Sequence, residues 1–152
     1  MSKALFLDTT PLGLVTRKPG QSTEADACFQ WILRILANGW TVYVAEIADY
    51  EVRRELIRQK RTASIVHMES VIATLSYVPI TTDAMRLAAD LWAQARNQGW
   101  ATADPKALDG DVILAAQALS LTPAPDSLIV ATENVAHLSR YVAAAEWRNI
   151  AS

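Results

Sequence analysis

Three acidic residues and one asparagine stand at comparable points in the sequence, just after apolar segments or at the start of one. Asp8 follows the first apolar segment, Glu51 lies one turn into the helix after the second, Asp111 opens an apolar helix, and Asn134 follows the last strong apolar run. If these segments are neighbours in one sheet, the side chains meet at its edge, where divalent cations relieve the repulsion between carboxylates. Two such ions about 4 Å apart can activate a water molecule and stabilise the leaving oxygen of a phosphodiester. The pattern therefore indicates metal-dependent phosphodiester hydrolysis.

Each of these residues also has an ordinary structural role open to it. Asp8 and Asp111 could cap helices, because a carboxylate at that position accepts a hydrogen bond from a free helix amide. Glu51 could pair with a neighbouring arginine on a solvated helix face, and Asn134 could be a turn residue. Only the joint placement of the four residues favours the catalytic interpretation.

The composition limits the class of protein and the kind of metal site. The 152 residues are 51% hydrophobic and 20% charged, which is enough to bury the core of one domain over 1–152. A net charge of −2 excludes a strongly basic nucleic-acid-binding coat. The single cysteine excludes an intramolecular disulfide and a cysteine-based zinc site, so carboxylates must hold any metal, which favours Mg²⁺ or Mn²⁺. With neither a signal-peptide pattern nor a bilayer-spanning apolar stretch, we expect a cytoplasmic protein without a membrane partner.

Apolar periodicity predicts strands that alternate with helices along the whole chain. The predicted strands are 3–7, 41–45, 77–80, 128–132 and 147–150; the predicted helices are 22–38, 47–60, 62–75, 82–98, 112–121 and a short one within 133–141, with a turn at 9–13 and a polar loop at 100–109. Such alternation is typical of an α/β protein with a mostly parallel central sheet flanked by helices. In these folds ligands bind beyond the carboxyl ends of the strands, which is where the candidate residues stand.

Four segments of the sequence resemble the motifs of PIN domains in order and spacing. Residues 5–10 (LFLDTT) resemble the opening strand motif, and residues 45–54 (AEIADYEVRR) resemble the second motif, in which a metal-binding glutamate precedes basic residues. Residues 111–118 (DVILAAQA) are similar to the third motif, an aspartate that opens an alanine-rich helix. Residues 129–138 (IVATENVAHL) resemble the fourth, a strand followed by threonine, a variable residue and aspartate or asparagine.

The resemblance covers residues 4 to 150 and implies a three-layer, Rossmann-like PIN fold that cleaves RNA with Mg²⁺ or Mn²⁺. It implies that Asp8, Glu51 and Asp111 hold the metal, and that Thr132 and Asn134 hold a water molecule or a second ion. Many relatives are VapC-like toxins of toxin–antitoxin pairs, often dimeric, so the resemblance also implies an antitoxin partner and a homodimer.

The chain departs from the family pattern at the fourth motif. Asn134 stands where an aspartate is common, so Glu133 or Asp109 is a possible substitute. Three positions later, His137 replaces a residue that is often acidic in the family. These changes put a second metal in doubt and leave open an alternative, a PIN-like binding or regulatory module with weak or no catalysis.

Basic residues near the motifs could contact the RNA backbone or could simply belong to a solvated face. They are Arg17, Lys18, Arg53 and Arg54.

Glu46 is the reserve candidate for the metal-binding glutamate, should Glu51 not hold the metal.

Overall fold

A computed structural model describes residues 1–99 and 105–152, of which 105–108 are described by their backbone alone. The strands are β1 (Lys3–Leu7), β2 (Thr41–Ala45), β3 (Ser76–Val78), β4 (Ser127–Ala131) and β5 (Ala144–Ala145). The helices are α1 (Thr9–Val15), α2 (Thr23–Ala37), α3 (Glu46–Arg58), α4 (Thr62–Ile72), α5 (Thr82–Asn97), α6 (Pro105–Leu119) and α7 (Val135–Leu138), and a 3₁₀ turn spans Trp147–Asn149.

The five strands form one parallel sheet in the order β3-β2-β1-β4-β5. Strand β1 is central, and its last residue, Leu7, pairs with Val44 of β2 on one side and with Ala131 of β4 on the other. The carboxyl ends of these three strands therefore meet at one edge, as the sequence predicted.

Both faces of the sheet are buried against helices. Side chains alternate along β1, so that Leu5 and Leu7 pack with Leu12 and Ile35 of α1 and α2, whereas Phe6 packs on the other face with Leu114 of α6. A strand that is buried on both faces reads as a continuous apolar run, which explains the unbroken pattern of its sequence. The predicted three-layer α/β architecture with a mostly parallel sheet is confirmed.

The predicted strand at 147–150 is wrong. The fifth strand is the two-residue pairing at Ala144–Ala145, and the chain then makes a 3₁₀ turn over Trp147–Asn149. Trp147 packs on Trp31, whose indole Nε1 donates to the carbonyl oxygen of Ile150 at 3.0 Å. Arg148 and Asn149 of this segment are exposed, and contacts of Trp147 and Ile150 with α2 take the place of a strand ladder.

One predicted helix boundary and one predicted turn are also wrong. α6 begins at Pro105 rather than at 112, because proline is well suited to a first helical position, so Asp111 lies in the second turn instead of opening the helix. The predicted turn at 9–13 is helix α1, whose first free amide, on Thr9, donates to the carboxylate of Asp8. Of the predicted polar loop, residues 100–104 lie outside the described part of the chain.

Within the described part of the chain, the helices are all too short or too polar to cross a membrane.

Candidate active site at the carboxyl edge of the sheet

Asp8 is fixed in orientation by partners on both of its carboxylate oxygens. It follows β1, and its amide donates to the carbonyl oxygen of Ala131 at 3.0 Å. Oδ1 accepts from the amide of Thr9 at 2.7 Å, and Oδ2 accepts from the hydroxyl of Thr132 at 2.7 Å. The predicted capping role and a role in the site are thus compatible, because Asp8 begins α1 at the edge where the other acids converge.

Thr132 links the ends of the two central strands. Its buried hydroxyl donates to Asp8 and accepts from the amide of Asn134 at 2.9 Å. That Thr132 holds a water molecule or an ion stays a prediction; in the structure its hydroxyl contacts two protein groups. It positions Asp8 and shapes the turn that carries Asn134.

Glu51 leans over the same edge from the second turn of α3. Its Oε1 accepts from the hydroxyl of Thr9 at 2.9 Å, and its Oε2 lies 3.7 Å from the guanidinium of Arg54. Burial, followed by the charge of Asp8, raises the pKa of Glu51, while the hydrogen bond from Thr9 opposes that change. A Cβ on Gly110 would stand 3.5 Å from both carboxylate oxygens, so α6 also approaches Glu51 closely.

Asp111 is the most buried acid of the site, with 6% of its surface exposed. Burial, with the nearby charge of Asp8 next in size, raises its pKa from 3.8 to about 7. Its Oδ1 lies 3.5 Å from Nδ2 of Asn134, at the long limit of a hydrogen bond. Its Oδ2 is buried without a partner, 3.6 Å from Nδ1 of His137.

The candidate residues share one cavity of about 230 Å³. It is lined by Asp8, Thr9, Thr10, Glu51, Gly110, Asp111, Glu133 and Asn134. The structure therefore brings together the four residues predicted as catalytic, and Glu133 joins them, with its Oε2 3.4 Å from the hydroxyl of Thr10. Asp109 is exposed and lines a separate cavity beside Trp92.

Other predicted residues are not brought to the site. The guanidinium of Arg53 pairs with Asp49 at 3.0 Å and with Glu69 at 2.7 Å, which ties α3 to α4. Glu46, the reserve candidate, accepts from the amide of Ile80 at 2.8 Å. Only Arg54 of the two neighbouring arginines lies beside the acids.

Sequence reasoning missed two residues that shape the site, Thr9 and Gly110. Each stands next to a motif aspartate, which was a usable signal. Their roles depend on Glu51, which is 42 residues from Thr9 in the chain. Proximity in sequence therefore could have pointed to both residues, whereas their contacts are decided by packing.

The donor chemistry of the cavity fits a hard divalent cation, because three carboxylates and an amide are oxygen donors of the kind that Mg²⁺ and Mn²⁺ prefer. The unpartnered Oδ2 of Asp111 and the raised pKa values show that, at Glu51 and Asp111, burial and mutual repulsion outweigh the nearby positive charges. As the side chains stand, however, no group of three or more His, Cys, Asp or Glu residues in 1–99 or 105–152 is placed to hold an ion. Binding of one ion by all three carboxylates at once would therefore require them to move closer together.

Comparison with known proteins supports the fold of this chain but does not identify its chemistry. No protein-family model matches this sequence, and no curated protein matches it. The chain is similar to a chain of VapBC2 from Rickettsia felis bound to promoter DNA, with a TM-score of 0.71 and 15% identity over 95% of this chain and 98% of that one.

Two further solved structures agree. VapBC-1 from nontypeable Haemophilus influenzae has a TM-score of 0.64 and 15% identity over 96% of this chain and 99% of that one. DNA-bound VapBC from Salmonella typhimurium has a TM-score of 0.64 and 19% identity over 97% and 99%. The sheet order, the helical layers and these similarities together define a PIN-like α/β fold. The predicted resemblance is thus confirmed at the level of the fold, and the similar structures are those of VapBC complexes.

Proposed function

We propose that this protein is a Mg²⁺- or Mn²⁺-dependent endoribonuclease that hydrolyses RNA phosphodiester bonds. The observation that carries the proposal is the shared cavity, into which separate parts of the chain bring Asp8, Glu51, Asp111 and Asn134. Acids converging at the carboxyl edge of a parallel sheet lie where ligands bind in this class of fold.

Asp8, Glu51 and Asp111 are the residues that would hold the metal. When bound, such an ion supplies acidity to a coordinated water molecule and stabilises charge on phosphate oxygens. Three direct hydrogen bonds within the chain orient these ligands: Thr132 donates to Asp8, and Thr9 donates to both Asp8 and Glu51. The side-chain amide of Asn134 lies beside Asp111, where it can orient a water molecule without adding negative charge.

A second cavity offers a path for the RNA backbone. This groove of about 470 Å³ shares Thr9 and Glu51 with the acidic cavity and carries Arg17, Arg54 and Arg61. Arginine side chains are well suited to phosphate, and phosphate contacts position a nucleic acid without specifying its sequence. Because Arg53 is engaged in two ion pairs, Arg54 is the better candidate of the pair for RNA contact.

The test is cleavage of a fluorescently labelled RNA in the presence of Mn²⁺, with EDTA as the metal-free control. We expect Asp8→Asn and Asp111→Asn each to abolish cleavage without unfolding the protein. Asp109→Asn is the matched control, because Asp109 lies on the same helix as Asp111 but outside the acidic cavity. Undiminished Mn²⁺-dependent cleavage by both Asp8→Asn and Asp111→Asn would refute the proposal.

An alternative is a PIN-like binding or regulatory module without catalysis. Asn134 at the fourth motif position favours it, as does the separation of the carboxylates as they stand. Calorimetric titration with Mn²⁺ separates the two functions. A nuclease binds Mn²⁺ at a site that Asp8→Asn removes, whereas a pure interaction module shows no such binding.

We also propose an antitoxin partner and a homodimer, in a protein that acts in the cytoplasm where its RNA substrate would be. The support for the partner is the similarity to VapBC structures. Expression of the protein alone should arrest growth, and Asp8→Asn should relieve the arrest. Native mass spectrometry of the protein purified from its own host should give the mass of a two-component complex, and a lone monomer would contradict both assembly proposals.

A further inference from the structure

Two buried polar atoms beside the candidate site face each other without hydrogen-bond partners. In the described ranges, three buried side-chain atoms lack a partner: Oδ2 of Asp111, Nδ1 of His137 and the hydroxyl oxygen of Tyr141. The first two lie 3.6 Å apart. Since buried polar atoms are nearly always paired in folded proteins, these two atoms form one incomplete pair.

A proton on Nδ1 of His137 completes this pair when Asp111 is ionised, as a metal ligand must be. An ionised carboxylate accepts hydrogen bonds and cannot donate them, so in that state Nδ1 of His137 carries the proton and donates it to Oδ2 of Asp111. A separation of 3.6 Å is beyond a hydrogen bond, but a closure of roughly half an ångström brings the two atoms into range. The other oxygen of the same carboxyl group, Oδ1, then remains beside Asn134 in the wall of the cavity.

The backbone around His137 is well placed to hold the imidazole there. His137 lies on α7, between the site residue Asn134 and Leu138, whose side chain is fully buried in the core against the sheet. The amides of His137 and Leu138 both donate to the carbonyl oxygen of Asn134, at 3.1 and 3.0 Å. The position of the ring is therefore tied to the same turn that carries Asn134.

We propose that His137 is a positioning residue whose Nδ1–H holds Oδ2 of Asp111, so that Oδ1 stays turned toward the cavity. This inference rests on the proposed function, because it assigns His137 to the orientation of a proposed metal ligand. Carboxylate ligands of metals are commonly held by such outer partners, and loss of the partner typically weakens metal binding by 10–100-fold.

The first test compares two substitutions of His137 by the dissociation constant for Mn²⁺, measured calorimetrically. Asparagine keeps an N–H donor near the place of Nδ1, whereas leucine keeps bulk without a donor. We expect His137→Asn to bind Mn²⁺ within about threefold of the wild type and His137→Leu to bind it 10–100-fold more weakly. His67→Leu, on α4, is the matched control and should leave the affinity unchanged.

The outcomes are distinct. Equal weakening in His137→Asn and His137→Leu would overturn the positioning role and would point to the imidazole as a ligand itself. Unchanged affinity in both would also overturn it. Thermal unfolding of each variant shows whether it is folded before its affinity is interpreted.

The second test needs no metal. In protein labelled with ¹⁵N-histidine and held at pH 8, where Asp111 is mostly ionised, we expect a slowly exchanging Nδ1–H resonance from His137 that Asp111→Ala removes. The chain has only two histidines, and His67→Gln assigns the other. A wild-type protein that binds no Mn²⁺ would refute the proposed metal site, whereas the resonance would still report the pairing. Absence of a proton on Nδ1 of His137 would overturn the positioning role even if Mn²⁺ binds normally.

Discussion

Replacing Asp111 by asparagine should make the metal-free protein more stable at pH 8. Burial raises the pKa of this carboxyl from 3.8 to about 7, so the folded state holds the proton more tightly than the unfolded state does. The stability associated with the protonated form is fully present below pH 3.8 and is lost as the pH rises through 7. The gap between the two pKa values corresponds to about 4 kcal/mol, which is the upper limit of the cost of ionising Asp111 in the folded protein.

Asparagine has nearly the same shape and carries no charge, so it removes that cost. Because the amide changes the local hydrogen bonds, we expect a gain of at least about 1 kcal/mol at pH 8, or roughly 2–4 °C in Tm for a chain of this size. The gain should be smaller at pH 5, where the cost in the wild type is only partly developed. Mn²⁺ at 100 times its Kd should stabilise the wild type by about 2.7 kcal/mol and leave the variant, which lacks a ligand, nearly unchanged; it therefore reverses the order for any gain below about 2.7 kcal/mol.

The assay is urea unfolding at pH 5 and pH 8, in EDTA and then in Mn²⁺. Asp109→Asn controls for loss of a negative charge from the same helix, and because Asp109 is exposed we expect a change within about 0.5 kcal/mol. The reasoning fails if Asp111→Asn is no more stable than the wild type in EDTA at pH 8. It fails equally if its gain is the same at both pH values.

Three further predictions follow from the site and the groove. Between pH 8 and pH 6, Mn²⁺ affinity measured calorimetrically should fall roughly tenfold, because the ionised fraction of Asp111 falls as the pH passes below its pKa of about 7 and a metal ligand must be deprotonated; a flat profile would contradict this. Thr132→Val should cost about 1.5–3 kcal/mol in urea unfolding, since it removes a buried hydroxyl donor to the charged Asp8, and a neutral effect would show that this hydrogen bond is weak. Arg54→Ala should weaken RNA binding and make the negative slope of log affinity against log salt shallower by about one. Arg53→Ala should mainly lower the free energy of unfolding. The opposite pattern would show that the RNA does not follow the groove.

Local chemistry in the sequence was enough to predict the layers of the fold. The apolar runs at 3–7, 41–45 and 128–132 are continuous because their strands are buried on both faces, and such runs are readable without coordinates. Residues that follow the carboxyl ends of parallel strands must share one edge. For that reason the meeting of Asp8 with Asn134 and with Glu51 could be predicted on the condition that their strands are neighbours in one sheet, and the structure meets that condition.

Tertiary contacts decided the features that sequence reasoning missed or misplaced. The segment at 147–150 was predicted as a strand, yet it is a 3₁₀ turn after which the carbonyl oxygen of Ile150 accepts from the indole of Trp31. Arg53 and Arg54 are adjacent and equally basic, but the helix rotation turns one toward Asp49 and Glu69 and the other toward Glu51.

The sequence by itself determined which residue types follow the apolar segments, since the order of segments along the chain and the side-chain chemistry are both readable without coordinates. Only the tertiary structure decided which of those side chains have partners. Whether Asp8 is held by Thr132, or Oδ2 of Asp111 is left facing His137, depends on distances between residues more than 20 positions apart. Such distances are set by how helices pack on the sheet, and no local pattern of residues records them.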